Sequence, residues 1–165
     1  MNDATKMYAL GCGFNHSHNV LCDIAQTGNF MTLFFLVFDE KRKEIRWVRA
    51  GHDPAIFYDA AKDEFAELGG NEMVLGVDKN WSFKDYYRNN WSSGQLILIG
   101  TDGIWETQNN QGEQFGKERL RKVLRRNSHV SAAKIVRAVT DTLADFRQKA
   151  PQEDDVTLVV IKAIS

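Results

Sequence analysis

The stretch IGTDGIWET, Ile99 to Thr107, follows the apolar run QLILIG with an aspartate, Asp102, and sets a second acid, Glu106, four positions later. Two chemistries fit this arrangement. An aspartate at a strand end followed by glycine makes a turn, because the carboxylate caps nearby backbone N–H groups and glycine takes positive φ freely. The same pair could instead be half of a metal site, if further carboxylates arrive from elsewhere. Asp154 and Asp155 of QEDDVTLVV precede a strand, whereas Asp102 follows one. The three acids therefore share an edge only if the two strands run antiparallel. Converging carboxylates repel one another unless they are protonated or bridged by cations, and hard oxygen donors suit Mg2+ or Mn2+. Glu106 joins them if DGIWE forms a helical turn, since positions i and i+4 project from one face.

These acids need strands and turns to hold them. Met31 to Phe38 is apolar at both alternating sets of positions, the pattern of a strand covered on both faces, and reads as central to its sheet. The charged DEKRK leads into EIRWVRA, where Ile45 and Trp47 share one face, so the two runs form a hairpin that GHDP interrupts. AIFYD and FAEL, joined by AAKDE, form a second hairpin. The aromatic stretch from Trp81 to Trp91 has no clear period. Phe115 to Arg126 and Ser131 to Lys149 read as helices, the second with Ile135, Val139, Leu143 and Phe146 at helical spacing and Ser131 as its cap. Pro151 marks its end, and DVTLVVIKAI is a last strand. Strands first, then two helices, then a strand suits an α+β layered sandwich better than an alternating parallel sheet.

Bulk composition narrows the field. The chain has 165 residues and is 43% hydrophobic, enough for one compact domain with a core. Its 22 acids and 21 bases leave a formal charge of -1, so no global field selects nucleic acid or an anionic membrane as partner. MTLFFLVF is far shorter than the ~20 apolar residues a membrane helix needs. With two cysteines and no leader pattern, a reduced cytoplasmic setting is expected. Cys12, His16, His18 and Cys22 offer zinc-type ligands, but C-x3-H-x-H-x3-C is not a spacing that zinc sites use, and the cluster reads as incidental. KERLRKVLRR reads as an amphipathic helix with a solvated basic face; its rival reading docks an acidic or phosphorylated protein through arginine.

The ordered set MTLFFLVFD, RWVRAGHDPAIFYD, LGVD, GQLILIGTDGIWET, GEQFGKERL and PQEDDVTLVV resembles the C-terminal two-thirds of a SpoIIE-type serine/threonine phosphatase domain, the bacterial branch of the metal-dependent PPM (type-2C) phosphatases. The resemblance runs from about Asn19 to Ile164. It implies an α+β fold, a PPM-like sandwich of two antiparallel β-sheets flanked by α-helices, with a two-metal Mn2+ or Mg2+ site at one edge. In such phosphatases a metal-activated water attacks phosphorus in line, with no phosphoenzyme. By the same resemblance Asp102 matches the carboxylate shared by the metals and Asp154 the other C-terminal ligand. Asp155 ranks below Asp154, Glu106 falls near an additional weaker metal, and His52 of AGHDP falls where the wider class often has an aspartate. A histidine in a strand-end loop is more often a hydrogen-bonded structural residue than a ligand.

The resemblance also implies partners: a phosphorylated regulatory protein such as an anti-sigma-factor antagonist, and an upstream sensory or receiver domain in a longer protein. The family's first third should contain a strand ending in Gly-Asp, followed by Gly-His-Gly, whose aspartate bridges both metals. Met1 to His18 contain Asp3 as their only acid, so residues 1–18 are expected to be a separate segment and 19–165 the phosphatase domain, incomplete at its N-terminus. Two expectations follow. The chain alone should hold Mn2+ weakly and hydrolyse phosphate esters poorly or not at all, leaving a phosphatase-like binding module as the alternative to an enzyme. An uncovered sheet edge should favour a homodimer.

Overall fold

The computed structural model describes residues 10–24, 28–70 and 73–164. In chain order these form α1 (Leu10–Ile24), β1 (Leu33–Asp39), β2 (Glu44–Ala50), β3 (Ala55–Asp59), β4 (Glu64–Leu68), β5 (Tyr86–Asn89), β6 (Gln95–Gly100), α2 (Gly116–Asn127), α3 (Ala132–Arg147) and β7 (Leu158–Lys162). The result is an α+β fold with two antiparallel sheets, each accompanied by helix, and the chain divides into two compact units. No helix among the described residues is long and apolar enough to cross a membrane.

The first unit takes Met1–His52 and Gly69–Asn90. Its sheet has the order β1-β2-β5, with Leu33 opposite Ala50, Asp39 opposite Glu44, and Trp47 opposite Tyr86. α1 presents Leu10, Phe14 and Leu21 at helical spacing, and Phe14 joins Val48, Ala50, Leu75 and Phe83 in the core. Phe14 and Phe83 meet edge to face at 5.2 Å. Asn15 clamps Phe83 through both backbone groups, its Oδ1 accepting from the Phe83 N–H at 2.7 Å and its Nδ2 donating to the carbonyl at 3.2 Å. Arg49, 9% exposed, makes no ion pair among the described residues and donates to the carbonyls of His52 and Gly70.

β1 is a sheet edge and not the central strand that its composition suggests. Among the described residues it pairs along its length with β2 alone, and Phe35 remains 43% exposed. The physical reason is that side-chain periodicity reports the two faces of a strand, while edge position depends on backbone partners that lie elsewhere in the sequence. The aromatic stretch without a clear period contributes β5, which covers the other side of β2.

The second unit takes Asp53–Leu68 and Trp91–Ser165. Its sheet runs β4-β3-β6-β7, antiparallel throughout. Ile56, Tyr58, Leu96 and Leu98 from the strands pack with Phe115, Leu120, Leu124, Ile135, Val139 and Leu143 from the helices and their approaches. α3 starts where the Ser131 side chain accepts the Lys134 N–H and stops at Gln148, whose φ of 54° leaves the helix. Asp59 is 5% exposed and sits at the end of β3. Burial works to raise its pKa, but hydrogen bonds from the Gln95 side chain (2.9 Å) and the Ala61 N–H (3.1 Å), with Lys62 beside it, hold the carboxyl below its ordinary value.

Candidate functional site

The site begins at the end of β6. Residues Gln95 to Leu98 are buried, and the last residue of the strand is Gly100, where a Cβ would lie 2.4 Å from Ile104 Cδ1. Thr101 then ties two segments together. Its N–H donates to the Thr157 carbonyl (3.0 Å), its hydroxyl donates to the Asp155 carbonyl (2.9 Å), and the same oxygen accepts from the Thr157 N–H (3.0 Å). With Gly100 opposite Leu158 in antiparallel pairing, the loop after β6 and the loop before β7 lie at the same end of the sheet.

Asp102 opens a single 3-10 turn through Ile104, and its Oδ1 accepts from the Gly103 N–H at 3.0 Å. Its carbonyl accepts from the Glu106 N–H at 2.9 Å, so Asp102 and Glu106 stand one helical turn apart. Gly103 serves a different end from the one expected of Asp-Gly. It is absent from the positive-φ glycines, and a Cβ on it would lie 2.5 Å from the Asp155 carbonyl oxygen. The glycine is there so that two backbones can touch.

Asp154 turns back on its own loop: Oδ1 accepts from the Asp155 N–H (2.7 Å) and its carbonyl accepts from Gln152 Nε2 (3.0 Å). Glu106 and Asp154 line one polar pocket of about 80 Å3, with Glu153 and Arg147. Asp102 and Asp155 are exposed and do not line it. The structure thus lines one pocket with Glu106 and Asp154, while the backbone of Asp155 lies against Thr101 and Gly103 on either side of Asp102. Thr101 and Arg147 carry no acid or metal-ligand signal in the sequence; the pairing of β6 with β7 shows the place of Thr101, and the pocket lining that of Arg147.

His52 lies in the first unit, after Gly51, whose φ of 64° and close approach to Val74 (2.4 Å from a built Cβ) require glycine. Its ring meets Phe34 at 6.2 Å, its N–H donates to the Ala50 carbonyl (2.8 Å), and its carbonyl accepts from Arg49. The four zinc-type residues divide as well. His18 is fully buried, Nε2 donating to the Asp78 carbonyl (2.7 Å) and Nδ1 accepting from the Gly76 N–H (3.3 Å), while His16 is exposed. Cys22 Sγ lies 3.6 Å from His18 Nε2, and the Cys12 side chain is outside the described residues. Residues two apart on a helix point away from each other, so the two histidines of α1 cannot share an ion.

Mg2+ takes six oxygen ligands in octahedral geometry, commonly one or two carboxylates with several waters. Among the described residues no group of three or more His, Cys, Asp or Glu side chains is placed to hold one.

Comparison with known proteins gives the fold its family. The family model of Stage II sporulation protein E (SpoIIE) matches residues 9–164, a span that includes the whole of α1. Phosphoserine phosphatase RsbU of Bacillus subtilis is 25% identical over 133 residues, covering 81% of this chain and 39% of RsbU. Protein IcfG of Synechocystis is 25% identical over 133 residues, covering 80% of this chain and 20% of IcfG. The chain thus spans well under half of either relative. Among solved structures, the SiaA-PP2C domain of Pseudomonas aeruginosa superposes with a TM-score of 0.80 at 18% identity, over 93% of this chain and 61% of that one. The RsbU and RsbW domains of Rv1364c from Mycobacterium tuberculosis give 0.69 at 22% identity, over 94% and 42%. The Mn-presoaked phosphatase domain of B. subtilis SpoIIE gives 0.64 at 15%, over 90% and 64%. With the family matched over almost its whole length and the fold shared with solved PP2C-type domains, the chain belongs to the SpoIIE family of PPM/PP2C-type phosphatase domains.

Proposed function

We propose that these 165 residues act as a phosphatase-like recognition module in bacterial serine/threonine signalling, one that engages a regulatory protein and does not dephosphorylate it unaided. The observation that carries this reading is the acid set: Glu106, Glu153 and Asp154 line a pocket of about 80 Å3 without Asp102 or Asp155, and among the described residues no group of three or more His, Cys, Asp or Glu is placed to hold a metal ion. The relatives supply the partner class. RsbU is named a phosphoserine phosphatase, and Rv1364c joins an RsbU domain to an RsbW domain. A phosphorylated regulatory protein of the anti-sigma-factor antagonist type in the cytoplasm is the partner that fits, under control of a sensory or receiver domain in a longer protein.

A metal-dependent phosphatase is the second reading. It is favoured by the antiparallel β6–β7 pairing, which brings Asp102 and the Asp154–Asp155 pair to one end of the sheet. On that reading the missing donors come from outside the described residues. Titrating the chain with a fluorescent phosphoserine peptide in the presence of Mn2+, with released phosphate measured in the same samples, separates the two. Binding without release is expected. Mn2+-dependent release that disappears in Asp102→Asn would establish the enzyme, and absence of any binding would overturn recognition.

A further inference from the structure

Two features of the first unit meet at one place. β1 is an outer strand: among the described residues it pairs along its length with β2 alone, so no strand lies beside its other edge. The same strand borders an apolar trough of about 420 Å3, walled by Leu10, Phe14 and Leu21 of α1 and by Met31, Leu33 and Phe35. Leu33 and Phe35 stand two apart, which makes the odd-numbered face of β1 the one that looks toward α1. The apolar side chains at the rim are accessible, Met31 being 45% and Phe35 43% exposed.

These features together specify an occupant. An open strand edge accepts an extended backbone, and a trough with no charged residue in its lining accepts apolar side chains at alternate positions of that backbone. A second copy of β1 supplies both. Its sequence is LFFLVFD, apolar at every position but the last. Antiparallel pairing about Leu36 sets Leu36 against its own counterpart, Phe35 opposite Val37 of the second copy, and Leu33 opposite Asp39 of the second copy. No like charges face each other in that register, and the strand is its own complement.

We infer that the edge of β1 and the trough beside it form one isologous face, on which a second copy of this chain adds its own β1 in the Leu36-centred register. Opposed residues of an antiparallel pair share a face, so Phe35 and Val37 of the second copy fall on the side that carries α1 and cover the rim at Phe35. The two-fold pairing closes at two copies and satisfies both open edges at once, whereas an unrelated strand would cover one. Nothing in this face depends on the recognition reading: the trough shares no lining residue with the pocket of Glu106 and Asp154.

The test reads the register by cross-linking. In the full chain with Cys12→Ser and Cys22→Ser, which removes both native thiols, Leu36→Cys is oxidised and run on a non-reducing gel. Directly opposed residues lie within disulfide reach, so a covalent dimer is expected. A mixture of Phe35→Cys and Val37→Cys chains reads the same register without touching Leu36. The mixture should link about fivefold or more faster than either variant alone, because each alone sets its thiols about 7 Å apart on a diagonal. In the unsubstituted chain the Met31 methyl signal, followed by NMR, should shift as concentration rises. A chain that stays monomeric, single variants that link as fast as the mixture, or a Met31 signal that does not move would overturn the face. So would a Met31 shift produced by a fatty acid while the chain remains monomeric, which would give the trough to a lipid. The phosphoserine-peptide titration is unaffected by any of these outcomes.

Discussion

At the residue scale, the two most consequential side-chain positions of the second unit are ones where a small change meets backbone. Gly103 lies against the Asp155 carbonyl, and Gly103→Ala would force the 3-10 turn away from the loop before β7. We predict a loss of about 1–3 kcal/mol in urea unfolding, the usual cost of overpacking a tight contact. An unchanged midpoint would mean that the two loops part easily. Asp59 gives a pH-dependent counterpart. Asp59→Ala strands the Gln95 amide and the Ala61 N–H, at a cost of about 1–3 kcal/mol near neutral pH. Because its folded pKa is depressed, the stabilisation is complete above the ordinary carboxylate range and is lost as pH falls through the folded value. The gap between wild type and variant should therefore narrow below about pH 4. A gap that stays constant into acid would show that the charge contributes nothing. Neither residue announces itself in the sequence. Gly103 reads there as a φ-permissive turn glycine, since the carbonyl it must admit comes from a residue some fifty positions later.

At the element scale, legibility tracks periodicity. α3 could be read from apolar spacing and a serine cap, and β6 and β7 from short continuous apolar runs. α1 was hidden by glycines and histidines of low helix propensity, although Leu10, Phe14 and Leu21 lie at helical spacing; packing against Val48 and Leu75 outweighs propensity there. The edge position of β1 could not be read at all, since faces leave a pattern and edges do not. That edge leads to a prediction. LFFLVFD has high strand propensity and a single charge, and pairing two copies antiparallel about Leu36 would set Asp39 against Leu33, with no like charges opposed. Light scattering should show the chain forming dimers as concentration rises, and Phe35→Lys should return it to monomer without lowering its melting temperature. A monomer at every concentration would refute this.

At the scale of the whole molecule, the family was legible because six short motifs occur in order, whereas each alone is weak. The antiparallel pairing that sets Asp102 at the same sheet end as Asp154 and Asp155 was legible too, as a condition on topology. What no motif could report is whether the donors converge. That is a matter of loop paths and not of residue type: Glu106 and Asp154 line one pocket, Asp102 and Asp155 do not, and among the described residues no group of three or more donors is placed to hold an ion. The account's central claim is that this chain recognises and does not by itself catalyse, and calorimetric titration of Mn2+ into wild type and Asp102→Asn tests it most directly, with hydrolysis of para-nitrophenyl phosphate followed in the same samples. The account predicts no saturable Mn2+ heat, no turnover, and indistinguishable traces for the two proteins. Saturable binding with turnover, both abolished in Asp102→Asn, would contradict it and make the β6–β7 edge a working metal centre.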